Sequence, residues 1–126
     1  MIIVTGGAGF IGSALVQGLN QKGFEDIWVV DKLDHPEKQK NLEGIVYFRW
    51  VDKDVFLTEV TAAKLPACTA ILHMGACSST TETDEAYLRA NNFEYTRSMA
   101  KYCLDKGVRF IYASSAATYG AGENGY

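Results

Sequence analysis

Glycines recur at a fixed spacing near the start of the chain, directly after a short apolar run. Gly6, Gly9 and Gly12 fit the pattern TGxxGxxG, and Gly7 with the last two fits GxGxxG. A residue without a side chain lets the backbone approach a phosphate, and the N–H groups that open the next helix attract negative charge. The alternative is a flexible turn before an ordinary helix, but the flanking residues favour a site for the diphosphate of NAD or NADP.

One of those flanking residues is Asp31, which ends a second apolar run about twenty residues beyond the glycines. In a dinucleotide-binding fold, an acid at this place accepts hydrogen bonds from the adenosine ribose. Lys32 and Lys38 follow it, and they could pair with the 2'-phosphate of NADP. The acid favours NAD and the lysines favour NADP, while the lysines would equally suit a solvent-facing charged loop.

A similar acid and lysine follow the third predicted strand. The carboxylate of Asp52 could meet the adenine amino group, and Lys53 could reach a phosphate or the ribose edge. Capping of the next helix by Asp52 or Asp54 is a comparable expectation.

The run from His73 to Asp84 changes from small residues to hydroxyl-bearing ones. Gly75 and Ala76 would keep side chains away from a ligand, so the run predicts a wall beside the nicotinamide that leads into a substrate loop. The hydroxyls also suit a helix cap, with Thr83 or Asp84 as the capping residue. We expect His73 to be a packed, hydrogen-bonded histidine rather than a catalyst, because no carboxylate partner is evident.

One cysteine and two serines are the remaining candidates. Cys77 is expected to be structural rather than nucleophilic. Ser114 and Ser115 end the last predicted strand, where a hydroxyl can hydrogen-bond a substrate alcohol or ketone during hydride transfer. Ser115 is the preferred residue for that role.

The elements that must position these residues alternate between strand and helix. Strands are predicted at 2–5, 27–31, 45–50, 70–73 and 109–114, helices at about 10–22, 54–63 and 84–105, and a polar loop through Glu43. Gly107 is expected to end the last helix. Short right-handed connections then predict an α/β fold, a Rossmann-type doubly wound parallel sheet in the order 3-2-1-4-5, truncated after strand 5.

Length and composition indicate one globular domain. The chain has 126 residues, 48% of them hydrophobic, and a formal net charge of -3, so nucleic-acid binding has no support. Strand-forming residues begin at Met1 and the apolar runs are short, which predicts a cytoplasmic protein without membrane contact. Cys68, Cys77 and Cys103 form no CxxC pair, so neither disulfides nor a metal site is expected.

Taken together, several of these motifs resemble the extended short-chain dehydrogenase/reductase family, whose members act on nucleotide sugars. They are TGGAGFIG, the strand end at Asp31, His73-Met-Gly-Ala, Ser114-Ser115 and the downstream Tyr119-Gly120. The resemblance covers essentially the whole chain. The runs at 75–82 and 112–120 are most similar to the branch that epimerises an ADP-linked heptose.

This resemblance implies an NADP that removes hydride from C6'' of the sugar and returns it to the opposite face. The implied cofactor contacts are Phe10, Ile11, Asp31, Lys32, Lys38, Lys53, Met74, Gly75, Ala76, Cys77, Ser78 and Asn91. Ser115 would be the catalytic hydroxyl, and Ser79 and Ser115 would contact the substrate. The family more often has Asn where Lys32 stands, and it assembles homo-oligomers.

The family also places a YxxxK tyrosine and lysine on a helix after the serine strand, and this chain has neither. Tyr102 to Lys106 matches the string but precedes that strand, and Tyr95, Met99 and Tyr102 have a helical spacing that suits packing or a subunit interface. We therefore expect an incomplete NAD(P)-binding domain over 1–126, inactive alone, without the substrate domain. A stand-alone dinucleotide-binding module, or another epimerase or dehydratase of the family, is the alternative.

Overall fold

The computed structural model describes residues 1–75, 84, 86 and 93–113. The helices in this part are α1 (Phe10–Gln21), α2 (Pro36–Glu43), α3 (Lys53–Thr61) and α4 (Tyr95–Lys106). The strands are β1 (Ile2–Thr5), β2 (Ile27–Asp31), β3 (Arg49–Asp52), β4 (Ala70–His73) and β5 (Arg109–Tyr112). None of the helices in these ranges is long and apolar enough to cross a membrane.

The strands form one parallel sheet in the order β3-β2-β1-β4-β5, which confirms the predicted Rossmann-type fold class and strand order. The central strands are buried on both faces, as expected for a parallel sheet covered by helices. Their pairing register sets Thr5 beside Val30 on one side and beside His73 on the other. The same register pairs Asp31 with Asp52. The strand ends that carry the candidate site residues therefore lie side by side at the carboxyl ends of the parallel strands. This end of the sheet is called the carboxyl edge below.

Each face of the sheet has its own apolar core. On one face, α3 and α4 bury residues such as Phe56 and Met99 against Ile3 and Ile71. On the other face, Val16 of α1 and Leu42 of α2 pack against the alternate residues of β1, β2 and β4. Because successive side chains of a strand point to opposite faces, a short apolar strand supplies both cores.

The segment between β2 and β3 departs from the sequence prediction. It was expected to be a polar loop through Glu43, but Pro36–Glu43 is the helix α2. Pro36 starts it with a backbone angle already suited to a helix. Leu42 is the buried residue of this helix, so the segment has no apolar periodicity from which a helix could be predicted.

The other boundaries move by smaller amounts. β3 was predicted at 45–50, and it runs from Arg49 to Asp52 because its pairing with β2 begins at Trp28 and Arg49. Ile45 and Tyr47, which suggested the earlier start, pack against the core from the preceding loop. Gly107, with a φ of 68°, ends α4 as predicted. The predicted helix start at 84 and the end of β5 at Ser114 involve residues outside the described part.

Candidate functional site

The glycine-rich loop lies between β1 and α1, at the carboxyl edge of the sheet. Gly6 has a φ of 67°, a left-handed conformation that favours glycine. A Cβ on Gly12 would lie 2.0 Å from the carbonyl oxygen of Gly6, so this position has no room for a side chain. Gly12 therefore allows the start of α1 to pack closely against the loop, a role beyond the phosphate approach predicted from the sequence.

The first turn of α1 is open to a ligand. Gly9 is its N-cap and provides no side-chain acceptor for the backbone N–H groups, and there is no acid in the first turn. Phe10 and Ile11, which follow, are 87% and 68% exposed. Unsatisfied N–H groups and the positive end of the helix dipole suit an anion. The cradle and the helix start both fit the diphosphate of a dinucleotide.

The loop after β4 packs directly on the glycine loop. A Cβ on Gly6 would lie 2.8 Å from the backbone nitrogen of Gly75, and a Cβ on Gly75 would lie 3.0 Å from that of Gly6. The N–H of Gly75 donates to Oγ1 of Thr5 at 3.2 Å, and the N–H of Met74 donates to the carbonyl of Thr5 at 3.0 Å. The predicted small-residue wall thus begins in contact with the predicted phosphate site.

Asp31 lies at the end of β2 and is 7% exposed. Its carboxylate accepts hydrogen bonds from the N–H of Ala8 at 3.0 Å and from the N–H of Lys32 at 2.7 Å. Nζ of Lys38 donates to it at 2.9 Å. The acid is therefore held rigidly beside the glycine loop, and its charge is compensated within the protein.

Lys38, in the first turn of α2, pairs with two acids that precede this helix in the chain. Its ammonium group contacts Asp31 at 2.9 Å and Asp34 at 3.0 Å. Burial alone would lower the pKa of Lys38, but its hydrogen bonds to Asp31 and Asp34 outweigh burial and raise that pKa. The hydrogen bond from Lys38 in turn lowers the pKa of Asp34. Lys38 is thus a fixed, partly buried cation rather than part of a solvated loop.

The charged residues that follow β3 lie close to those that follow β2. Asp52 caps α3 by accepting from the N–H of Asp54 at 2.8 Å, which confirms the capping interpretation for Asp52. Lys32 lies 3.6 Å from the carboxylate of Asp54, and both side chains are more than half exposed. Nζ of Lys53 lies 5.6 Å from the centre of the Tyr95 ring. Three predicted lysines and two predicted acids therefore meet at the ends of β2 and β3.

His73 is buried, as expected of a structural histidine. Its Nδ1 hydrogen-bonds Oγ1 of Thr5, and its Nε2 hydrogen-bonds Oγ1 of Thr96 at 2.8 Å. The ring lies 6.0 Å from that of Phe110 and 5.4 Å from that of Tyr95. Burial lowers the pKa of His73 to about 4, so the ring is neutral near pH 7.

Several predicted site residues lie outside the described part of the chain, and their roles stay predictions. They are Ala76, Cys77, Ser78, Ser79, Thr83, Asn91, Ser114 and Ser115. Within the described part, no cluster of His, Cys, Asp and Glu is arranged to hold a metal ion. Cys68 and Cys103 are free thiols, and burial raises the pKa of Cys103 to about 11.

Sequence reasoning missed two residues that the structure places at this edge. Thr5 links the loops after β1 and β4 through its hydroxyl, and its place directly before the glycines was the available signal. Asn41 donates to the carbonyl of Ala8 at 2.8 Å and so ties α2 to the glycine loop; no sequence pattern pointed to it. Tyr95 was expected in packing or an interface, and it packs in the core beneath the edge.

A tight glycine loop, an open helix start and a fixed acid at the end of β2 define a dinucleotide-binding α/β domain. Residues 2–125 match the NAD dependent epimerase/dehydratase family. The chain belongs to that family.

Individual relatives agree with this assignment. The chain is 53% identical to the ADP-L-glycero-D-manno-heptose-6-epimerase of Fusobacterium nucleatum, over 100% of this chain and 38% of that protein. The corresponding protein of Brachyspira hyodysenteriae is 51% identical, over 100% of this chain and 40% of its own length. The chain thus spans about two fifths of the length of these curated relatives.

Two solved epimerase structures share the fold of this chain. The ADP-L-glycero-D-manno-heptose-6-epimerase of Helicobacter pylori superposes with a TM-score of 0.81 at 25% identity, over 98% of this chain and 43% of that one. The UDP-glucuronic acid 4-epimerase of Bacillus cereus, in complex with NAD, superposes with a TM-score of 0.77 at 28% identity, over 94% of this chain and 41% of that one.

Proposed function

We propose that this chain is the cofactor-binding part of an ADP-L-glycero-D-manno-heptose 6-epimerase, an isomerase that acts in lipopolysaccharide inner-core synthesis. The identity of about one half to curated enzymes of that name, over the whole chain, supports the substrate. The observation that carries the cofactor part is the glycine loop, whose open helix start lies beside the fixed carboxylate of Asp31. The protein then acts in the cytoplasm, where nucleotide sugars are made, as a homo-oligomer.

Within this proposal, NADP held along the ends of β1 and β2 would supply a hydride acceptor and donor for C6'' of the heptose, so that the sugar would be epimerised with no net redox change. The described residues bind and orient: the N–H groups at the start of α1 hold the diphosphate, and Asp31 fixes the loop that carries them. His73 stays neutral and supports the wall that begins at Gly75. Ser115 acts as the catalytic hydroxyl and Ser79 as a substrate contact, while Ala76, Cys77, Ser78 and Asn91 line the cofactor.

The lysines at the end of β2 favour NADP over NAD in this proposal. Lys38 compensates the charge of Asp31, so that acid no longer repels a 2'-phosphate. The other acidic partners of the lysines are exposed: Asp34 is 49% exposed and Asp54 is 66% exposed. Exposed ion pairs contribute little, so a 2'-phosphate can replace these carboxylates beside Lys38 and Lys32 at small cost.

The test is Lys38→Met, with binding of NADP and NAD measured by titration calorimetry on the full chain. We expect the Kd for NADP to rise about tenfold to a hundredfold, because a charge-assisted contact to phosphate is lost. The Kd for NAD should change less than about threefold, which also shows that the variant folds. Lys40→Met, on the exposed side of the same helix, is the matched control and should leave both constants unchanged.

Equal losses for the two cofactors would contradict a contact to the 2'-phosphate. The substrate is tested separately by incubating the full-length gene product with ADP-heptose and with UDP-glucuronic acid. Epimerisation of ADP-heptose alone is expected, and residues 1–126 by themselves should bind cofactor without turnover. Turnover of the uronic acid instead would assign the protein to another branch of the family.

A further inference from the structure

Tyr95, the first residue of α4, has a feature that core packing does not explain. Its side chain is 4% exposed, yet its hydroxyl has no hydrogen-bond partner within the part of the chain that the structure describes. A buried tyrosine usually pairs its hydroxyl, because an unpaired one has given up water without compensation. An orphan hydroxyl at the edge of a binding site therefore points to a partner that arrives with a ligand.

The surroundings of Tyr95 place it beside the ends of β2 and β3. Its ring lies 5.4 Å from that of His73 at the end of β4, and the ammonium group of Lys53 lies 5.6 Å from its centre. Burial raises the pKa of Tyr95, and the carboxylates of Asp54, Asp31 and Asp52 raise it further. The ring thus lies between the end of β4 and the start of α3, where Asp52 and Asp54 flank Lys53.

We propose that the Tyr95 hydroxyl hydrogen-bonds the adenosine end of the dinucleotide, beside the end of β3 and the start of α3. This inference rests on the proposed function, since it assumes that a dinucleotide binds along this edge. Lys53, the first residue of α3, has its ammonium group over the ring of Tyr95. The hydroxyl gains the partner that it lacks when adenosine binds.

Charge distinguishes adenosine from the other parts of the cofactor. Asp52 and Asp54 at the start of α3 disfavour the diphosphate beside Tyr95, and the open start of α1 already provides a site for it. Adenine and its ribose are neutral and offer both donors and acceptors, which a phenol can satisfy because it can donate and accept. The nicotinamide is expected near Gly75, on the other side of the glycine loop.

The test is Tyr95→Phe in the full chain, with three probes: NADP, adenosine 2',5'-bisphosphate and nicotinamide mononucleotide. We expect Kd for the first two to rise about fivefold to tenfold, as for a lost buried hydrogen bond. Binding of the mononucleotide should not change. The thermal unfolding midpoint without ligand should stay the same or rise, because the substitution removes an unpaired buried hydroxyl.

Tyr102→Phe is the matched control, since Tyr102 is buried in the same core two turns along the same helix. It should leave all three binding constants unchanged. Unchanged adenosine binding in Tyr95→Phe would overturn the inference, and so would an equal loss for all probes or a lowered unfolding midpoint. Failure of the unsubstituted protein to bind any dinucleotide would overturn the proposed function as well, so the two failures are distinguishable.

Discussion

The two halves of the carboxyl edge are held together by different forces. At the ends of β2 and β3, Asp31 and the residues around it form ion pairs and charge-assisted hydrogen bonds. At the ends of β4 and β5, His73 is held by neutral hydrogen bonds to two threonines and by contact with aromatic rings. The first half is charged and half open to solvent, whereas His73 in the second is neutral and buried.

This difference matches what each half would have to do. In the proposed function, the lysines of the charged half bind an anionic group of the cofactor. They can do so at a solvent-exposed place, because their partners Asp34 and Asp54 are themselves exposed. A neutral wall keeps the local dielectric low, which strengthens any polar contact made beside it. Because the glycine loop lies between the two halves, substitutions there should affect both.

The largest effect is expected from Gly12→Ala. A Cβ at this position would lie 2.0 Å from a backbone oxygen, so the loop must shift and the start of α1 moves with it. We expect dinucleotide affinity to fall by at least about a hundredfold and the free energy of unfolding by about 3 kcal/mol or more. Fluorescence titration and urea unfolding would measure the two quantities.

Gly18→Ala provides the matched control on the same helix. No atom lies within 4 Å of a Cβ built there, and alanine favours a helix over glycine by about 1 kcal/mol. This variant should therefore be more stable and bind the dinucleotide unchanged. If both substitutions weakened binding equally, the steric account of Gly12 would be wrong.

The neutral half should respond to acid through His73. Its pKa falls from 6.5 to about 4 on folding, so between these values the unfolded chain binds a proton that the folded chain does not. Stability should therefore fall as the pH drops from about 6.5 towards 4, by about 3 kcal/mol, and level off below. Urea unfolding at a series of pH values would show this slope.

The chain has two histidines, and the exposed one gives the control. His73→Gln should be less stable at pH 7 but should lose most of the slope between pH 6.5 and 4. His35→Gln should keep the slope. An unchanged slope in His73→Gln would show that another group titrates in this window.

The smallest effect concerns the charged half, at the cap of α3. Asp52→Ala removes the acceptor for the first N–H groups of that helix, and we expect a loss of about 1 kcal/mol in the free energy of unfolding. Asp52→Asn, which can still accept, should recover most of it. A loss of cofactor affinity in Asp52→Asn without a loss of stability would instead favour the adenine contact considered from the sequence.

The sequence predicted the parts of the fold where apolar runs are short and bounded. β1, β2 and β4 have the bounds that their short apolar runs predicted, and the strand order follows from right-handed connections. It could not predict α2, whose polar residues leave no periodic signal, nor the start of β3. Ile45 packs against the core from a loop, and its apolar side chain therefore resembles the start of a strand in the sequence.

The candidate site shows the same division. Asp31 was predicted because a strand end and a spacing identify it, whereas its partners come from the loop after it and from α2. The role of Thr5 depends on a neighbour far along the chain, which only the sheet brings near. Tyr95 has an ordinary helical spacing, so nothing in the sequence indicated that its buried hydroxyl would lack a partner among the described residues.

Gly6 and Gly75 each occupy the space that a side chain on the other would need. The loops after β1 and β4 therefore cannot diverge independently: a bulkier residue in one loop requires a compensating displacement of the other. A loop grafted from a relative would bring its own clash unless its counterpart were transferred with it. For anyone redesigning this domain, the two loops form one transplantable unit, although almost seventy residues of chain separate them.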